Sequence, residues 1–261
     1  MSDRIAGAFA GAQGDGKRAA LMPYFMGGYP SVEASAAAGE AAIRAGADLI
    51  ELGVPFSDPL ADGPVIHAAA TDALAAGATP HAVLGVCERL AQKVPVVLMV
   101  YANVVLASGV EAFALRAAAA GAAGLIVPDM PHDEAGELRA ACDAEGLALV
   151  PLVAPTTTPE RMKEIGEAAR GFVYAVSVAG TTGERDELPP GLEDTVSRAR
   201  AATEVPVAVG FGISTVEQVR SVAAIADGVI VGTRLVRAAA EGPDEVARTV
   251  EELSRGVADR W

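Results

Sequence analysis

Short apolar runs rich in β-branched residues alternate with longer segments of helical period about eight times along the 261-residue chain. The runs fall at 20–26, 48–52, 96–101, 124–127, 148–153, 172–177, 207–210 and 228–231. Between them the pattern turns to Ala-rich stretches of helical spacing, so each strand is predicted to feed a helix that returns to a parallel strand. Weak echoes repeat this unit. "AGADLIELG", "AGAAGLIVPD" and "IADGVIVG" each run from a helix end into a strand, and "KVPVVLMVY" and "EVPVAVGFG" each open one with Val-Pro. Eight such units are what a (β/α)8 TIM barrel requires. A doubly wound open sheet uses the same local grammar, but length and strand count favour the barrel. No Ser/Gly/Pro tract or charge block interrupts the alternation, and residues 1–261 read as a single barrel domain.

Composition narrows the setting. With 51% of residues hydrophobic, the chain can bury a sizeable core. Apolar runs such as "VPVVLMVYANVVLA" stop short of the roughly 18 to 20 residues of a membrane helix, and the start "MSDRIAGAFAGAQGDGKR" lacks a signal-peptide apolar region, so a soluble cytoplasmic protein is expected. Cys87 and Cys142 lie in helix-like segments without a CxxC or Cys/His spacing and read as core thiols. A formal net charge of -14 opposes nonspecific binding to nucleic acid or an anionic membrane. Any anionic ligand must then be held by local groups.

Barrel active sites are built from the loops after the C-terminal strand ends. The long loops are 53–64, after the second strand, and 178–190, after the sixth. Glu51 sits near the end of the second strand among Leu49, Ile50 and Leu52, where burial would raise its pKa into the range useful for proton transfer. A rim glutamate paired with an arginine is the competing reading. Asp62, in "LADGP", lies on a loop stiffened by Pro55, Pro59 and Pro64, which can present a carboxylate at little entropic cost. A turn aspartate before Gly63 is its plain alternative. Asp58 caps a turn or faces a partner.

The seventh strand ends in "VGFGIS" and the eighth in "VIVGTRLV", each running into a helix. Glycines there, with Gly183 in the loop after strand six, permit close backbone approach and aim N–H groups at an anion. Such a cradle reconciles a phosphorylated ligand with an acidic protein. Of the lysines a Schiff-base mechanism would need, Lys17 precedes the first strand, Lys93 the third, and Lys163 lies in a helical pattern. His67, His81 and His132 show no HxH or HxxxH spacing; only His132 falls near the mouth. "GFGIS" lacks the rest of a dinucleotide fingerprint. Acid-base work by carboxylates on a phosphorylated compound remains.

Taken in order, "ELGVPFSDPLADGP", "YAN", "VAPTTTPER", "VYAVSVAGTTGER" and "VGFGIS" span nearly the whole chain and resemble the alpha subunits of tryptophan synthase. The resemblance implies a barrel enzyme that cleaves indole-3-glycerol phosphate to indole and glyceraldehyde 3-phosphate by a retro-aldol reaction, without metal or organic cofactor. By motif match Glu51 takes the acid-base position, Asp62 the position that holds the indole N–H, Tyr174 a tyrosine beside the glutamate, and Thr182 a threonine of a closing loop. Gly183, Gly212, Gly232 and Thr233 match phosphate-binding positions, and Tyr24, Met99, Ile126 and Phe211 match apolar positions around the indole; core packing is the rival reading for these four.

The implied partner is a pyridoxal-phosphate beta subunit in an alpha2beta2 assembly, met by the loop carrying Pro55 and Asp58. Departures from relatives are Arg234 within "GTRLV", which would add a charge beside the phosphate, Val178 and Ala179 in the sixth loop, His67, and Met26. Another phosphosugar lyase or isomerase on the same barrel, or a noncatalytic subunit that activates a partner enzyme, are the alternatives.

Overall fold

The computed structural model describes residues 4–176, 190–210 and 212–258. Nine strands are present among them: β1 Ala20–Met26, β2 Ile50–Gly53, β3 Val96–Met99, β4 Gly124–Ile126, β5 Ala148–Val150, β6 Leu152–Val153, β7 Val173–Val176, β8 Val207–Gly210 and β9 Gly228–Val231. All pairings are parallel, in the order β5-β4-β3-β2-β1-β9-β8-β7-β6. The two ends of that order are neighbours in the chain, so the sheet comes round on itself as a barrel. The expected fifth strand, 148–153, is split because Pro151 has no N–H to donate to a ladder. Its carbonyl still accepts from the Tyr174 N–H at 2.9 Å, which holds the seam together.

Alternation along the strands sorts side chains into two cores. Met22, Tyr24 and Met26 of β1, Val97 and Met99 of β3, Ile126, Val150, Tyr174, Ala208 and Ile230 fill the interior. Leu21, Phe25, Ile50, Leu52, Leu98, Leu125, Val173 and Val209 face the surrounding helices. Ile50 and Leu52 face outward, so the pleat turns Glu51 between them into the barrel.

The opposite end is closed by a helix the sequence reading did not anticipate. Arg4–Gly14 buries Ile5, Phe9 and Ala12 into the interior core, with the Phe9 ring 6.0 Å from that of Phe172. Its signal was weak because most of its residues are Ala and Gly, which carry little periodic contrast. Among the described residues no single helix is long and apolar enough to cross a membrane. Cys87 and Cys142 are buried free thiols, as read from sequence, both pushed up to about 12 by burial.

Candidate active site

Barrel register sets the first half of the site. Glu51 pairs with Tyr24 on one side and Val97 on the other, and Tyr174 occupies the inward position of β7 across the barrel. Two glycines make room for the tyrosines. A Cβ on Gly53 would lie 2.2 Å from the Tyr24 hydroxyl, and one on Gly210 2.1 Å from that of Tyr174.

The loop after β2 brings the second carboxylate. Phe56 stacks on Tyr101 with ring centroids 5.2 Å apart, and the Ala61 N–H donates to the Tyr101 hydroxyl at 3.1 Å. Pinned at both places, the loop carries Asp62 inward, where it is 8% exposed. Tyr101 also hydrogen-bonds the Asp62 side chain.

Tyr24, Glu51, Asp62, Met99, Tyr174 and Gly212 line one cavity together with Ile66, Ile230, Gly232 and Thr233. The sequence reading therefore converges here for eight residues. Ile66, Ile230 and the loop-fixing Tyr101 were missed as site residues; inward strand parity was the available signal for Ile230, and the position just past β3 for Tyr101. Ile126 is fully buried beside Met99 in the interior core and is not among the cavity-lining residues. Thr182, Gly183 and Phe211 lie outside the described residues, as do Val178 and Ala179. The free space is about 30 Å³, roughly one water, so a larger ligand requires the walls to part.

The electrostatics of the two acids differ. Burial, reinforced by the nearby charge of Asp62, pushes Glu51 up to about 8. Asp62 is raised to about 6 by burial, while the Tyr101 hydrogen bond and the charge of His67 pull the other way. Near neutrality the site therefore holds a protonated Glu51 and a largely ionised Asp62, and one oxygen of each, Oε2 and Oδ1, is buried without a hydrogen-bond partner among the described residues. The arginine pairing considered for Glu51 is not found among the described residues. Burial and the neighbouring carboxylates also hold the Tyr24 and Tyr174 hydroxyls protonated.

The two helix starts expected to meet an anion are not alike. The helix Val216–Ala223 is closed by its own capping box, in which Thr215 accepts the Gln218 N–H and Gln218 accepts the N–H groups of Ser214 and Thr215. The helix Thr233–Glu241 begins after Gly232 with no side-chain cap, so its first N–H groups stay available beside the cavity. Gly212, with φ +82°, turns the chain toward it. Arg234 departs from expectation. Its guanidinium donates to the Ser214 carbonyl at 2.7 Å and pairs with Glu252. It braces the loop after β8, and its charge is already met.

Pro55 is buried, whereas Asp58 is exposed and accepts from the Ser57 hydroxyl. Leu60, which the sequence reading passed over, is 80% exposed on the same loop. His67 and His81 are on helix surfaces, and Met26 is buried in the interior core. Lys17 pairs with Asp48, Lys93 with Glu40 and Lys163 with Glu167, none of them at the cavity.

Known proteins are similar to this chain in sequence and in fold. Residues 10–259 match the family model described as tryptophan synthase alpha chain. A tryptophan synthase alpha chain of Gloeobacter violaceus is 47% identical over 256 residues, 97% of this chain and 92% of the relative. One from a Synechococcus strain is 52% identical over 223 residues, covering 84% and 83%. In three dimensions, a chain of Mycobacterium tuberculosis tryptophan synthase superposes with a TM-score of 0.92 at 42% identity, covering 98% of this chain and 99% of that one. An alpha chain from Legionella pneumophila gives 0.88 at 31% identity, covering 98% of each. By sequence over nearly its full length and by structure, this chain belongs to the tryptophan synthase alpha chain family.

Proposed function

We propose that the chain is a carbon–carbon lyase that cleaves indole-3-glycerol phosphate to indole and glyceraldehyde 3-phosphate for tryptophan biosynthesis. The observation that carries this reading is the pair of buried carboxyl groups in one cavity, one held neutral and the other largely ionised. Neutral Glu51 donates its proton to the indole carbon that bears the side chain. Asp62 accepts the indole N–H and stabilises the positive charge that develops on the ring, a counter-charge strengthened by exclusion of water. The carbon–carbon bond then breaks with its electron pair returning to the ring. The side-chain hydroxyl becomes the aldehyde carbonyl, and its proton returns to the Glu51 carboxylate.

Every step is a proton transfer or a bond rearrangement, so no metal or organic cofactor is needed on this chain. Tyr24, Met99, Tyr174 and Phe211 flank the indole in this reading, and Ile126 backs the wall beside Met99. The uncapped start of the helix Thr233–Glu241, with Gly212, Gly232, Gly183 and the Thr233 hydroxyl, receives the phosphate through backbone dipoles, which suits a chain of net charge -14. Thr182 belongs to the loop that closes over Asp62.

A beta subunit carrying pyridoxal phosphate receives the indole, in an alpha2beta2 assembly in the cytoplasm. Asp58 and the exposed Leu60 on the loop after β2, with Leu106 56% exposed just past β3, supply the mixed apolar and charged surface such a partner requires. The test is product analysis on the purified chain with and without a beta subunit. Indole should appear slowly from the chain alone and faster with the partner, and Asp62→Asn should lower the rate by about 10²- to 10³-fold. Folded protein that yields no indole under either condition would reject the reading.

A further inference from the structure

The helical layer of the barrel leaves a gap at the seam where Pro151 splits the sheet. The helix Gly136–Glu145 leans on its neighbour Val110–Ala119, and Pro159–Ala168 leans on Leu192–Ala202. A lateral cavity of about 390 Å³ is left between them. Leu149 and Leu152, on the two short strands, keep partial exposure there, and Met130, Ile165 and Ala168 complete apolar walls. This volume is within the usual range for small-molecule sites, about 300–1,000 Å³. No residue of the Glu51 cavity lines it.

Its polar groups are unevenly neutralised. Arg161 pairs with Asp133 and Glu164, and Asp129 accepts the Ala102 N–H at 2.9 Å. Among the described residues Arg139 has no carboxylate partner, and its side chain bonds His132 Nδ1 at 3.1 Å. A guanidinium can only donate, so Nδ1 accepts and the imidazole hydrogen is on Nε2. One cation and one neutral N–H donor thus stand beside an apolar hollow, in a protein otherwise rich in negative charge.

The geometry points to a second small-molecule site here, which takes an amphipathic monocarboxylate: a flat or branched apolar body against Leu149, Leu152 and Ile165, and a carboxylate on Arg139 and His132. A carboxylate fits the planar guanidinium fork in a two-point contact. A phosphate dianion would leave charge unmet beside Asp129 and Asp133.

The experiment uses the full chain and two probes of equal shape, 4-phenylbutyrate and its neutral amide, followed by calorimetric titration of wild type, Arg139→Gln and the cavity-filling Ala168→Phe. We expect the carboxylate to bind at millimolar concentration or tighter, at least about tenfold better than the amide, with that preference erased in Arg139→Gln and binding lost in Ala168→Phe. Indole release should be unchanged in Arg139→Gln. No binding by folded wild type, equal affinity for the two probes, an undiminished preference in Arg139→Gln, or binding abolished instead by Asp62→Asn would each overturn the site.

Discussion

Glu51 shows how one residue acquires chemistry from its position. The pleat that turns Ile50 and Leu52 outward turns the carboxyl into a barrel interior where no described residue supplies a cation to receive it. Its folded value of about 8 stands well above the ordinary 4.5, so the folded chain keeps a proton that the unfolded chain has lost. The stability associated with Glu51 is therefore complete below about pH 4.5 and drains away as pH rises to about 8; Asp62 adds a smaller drain between 3.8 and about 6. Glu51→Gln, neutral at every pH, should melt above wild type at pH 9, with the gap closing toward pH 5. Each kcal/mol corresponds to about 2 to 4 °C for a chain of this size. A melting difference that does not change with pH would show that the carboxyl is not desolvated. The burial of Glu51 was legible in "LIELG", because a lone acid among apolar residues sits at the C-terminal end of a predicted strand. That the acid has no cationic partner among the described residues was not legible, since that depends on which charged side chains a closed barrel brings near.

At the scale of elements, the site depends on how a loop is held against a strand end. Phe56 and Ala61 both rest on Tyr101, and Tyr101 in turn bonds Asp62. Tyr101→Phe keeps the stacking and removes the hydroxyl. It should lower turnover by about tenfold, with little change in melting temperature, because the lost bonds orient Asp62 more than they hold the fold. Unchanged turnover would mean that the prolines alone fix the loop. Sequence placed this loop correctly and saw Asp62 in it, but contacts with residues some 40 positions away are set by the register of β2 on β3, which no local pattern encodes. The same limit applies to the helix starts. "TVEQ" after "VGFGIS" carries a capping box that closes its own N-terminus, while "GTRL" leaves the next helix open. Arg234, which from sequence sits beside the phosphate, turns instead to Ser214 and Glu252.

For the whole molecule, the barrel is plugged at one end and functional at the other. Phe9 fills the closed end against Phe172, whose ring is 6.2 Å from that of Tyr174, so packing is continuous from the plug to the site. The eight strand positions and the barrel class were legible because parallel strands buried on both faces give plain apolar runs. The split at Pro151 and the lateral cavity beside it were not, because a gap between helices is a property of their packing angles. At the open end, Leu60→Asp should weaken stimulation by a beta subunit severalfold while the slow turnover of the isolated chain survives, measured as the partner concentration giving half-maximal rate. Unaltered stimulation would move the interface off this loop. The central claim, that a neutral acid and a carboxylate share one buried cavity and divide the reaction, is tested most directly by the pH dependence of kcat/KM for indole release, which reports the groups of the free chain. The account predicts a bell with an acid limb near 6, from Asp62, and an alkaline limb near 8, from Glu51. A rate that stays level or climbs from pH 7 to 9.5 in folded protein would contradict it.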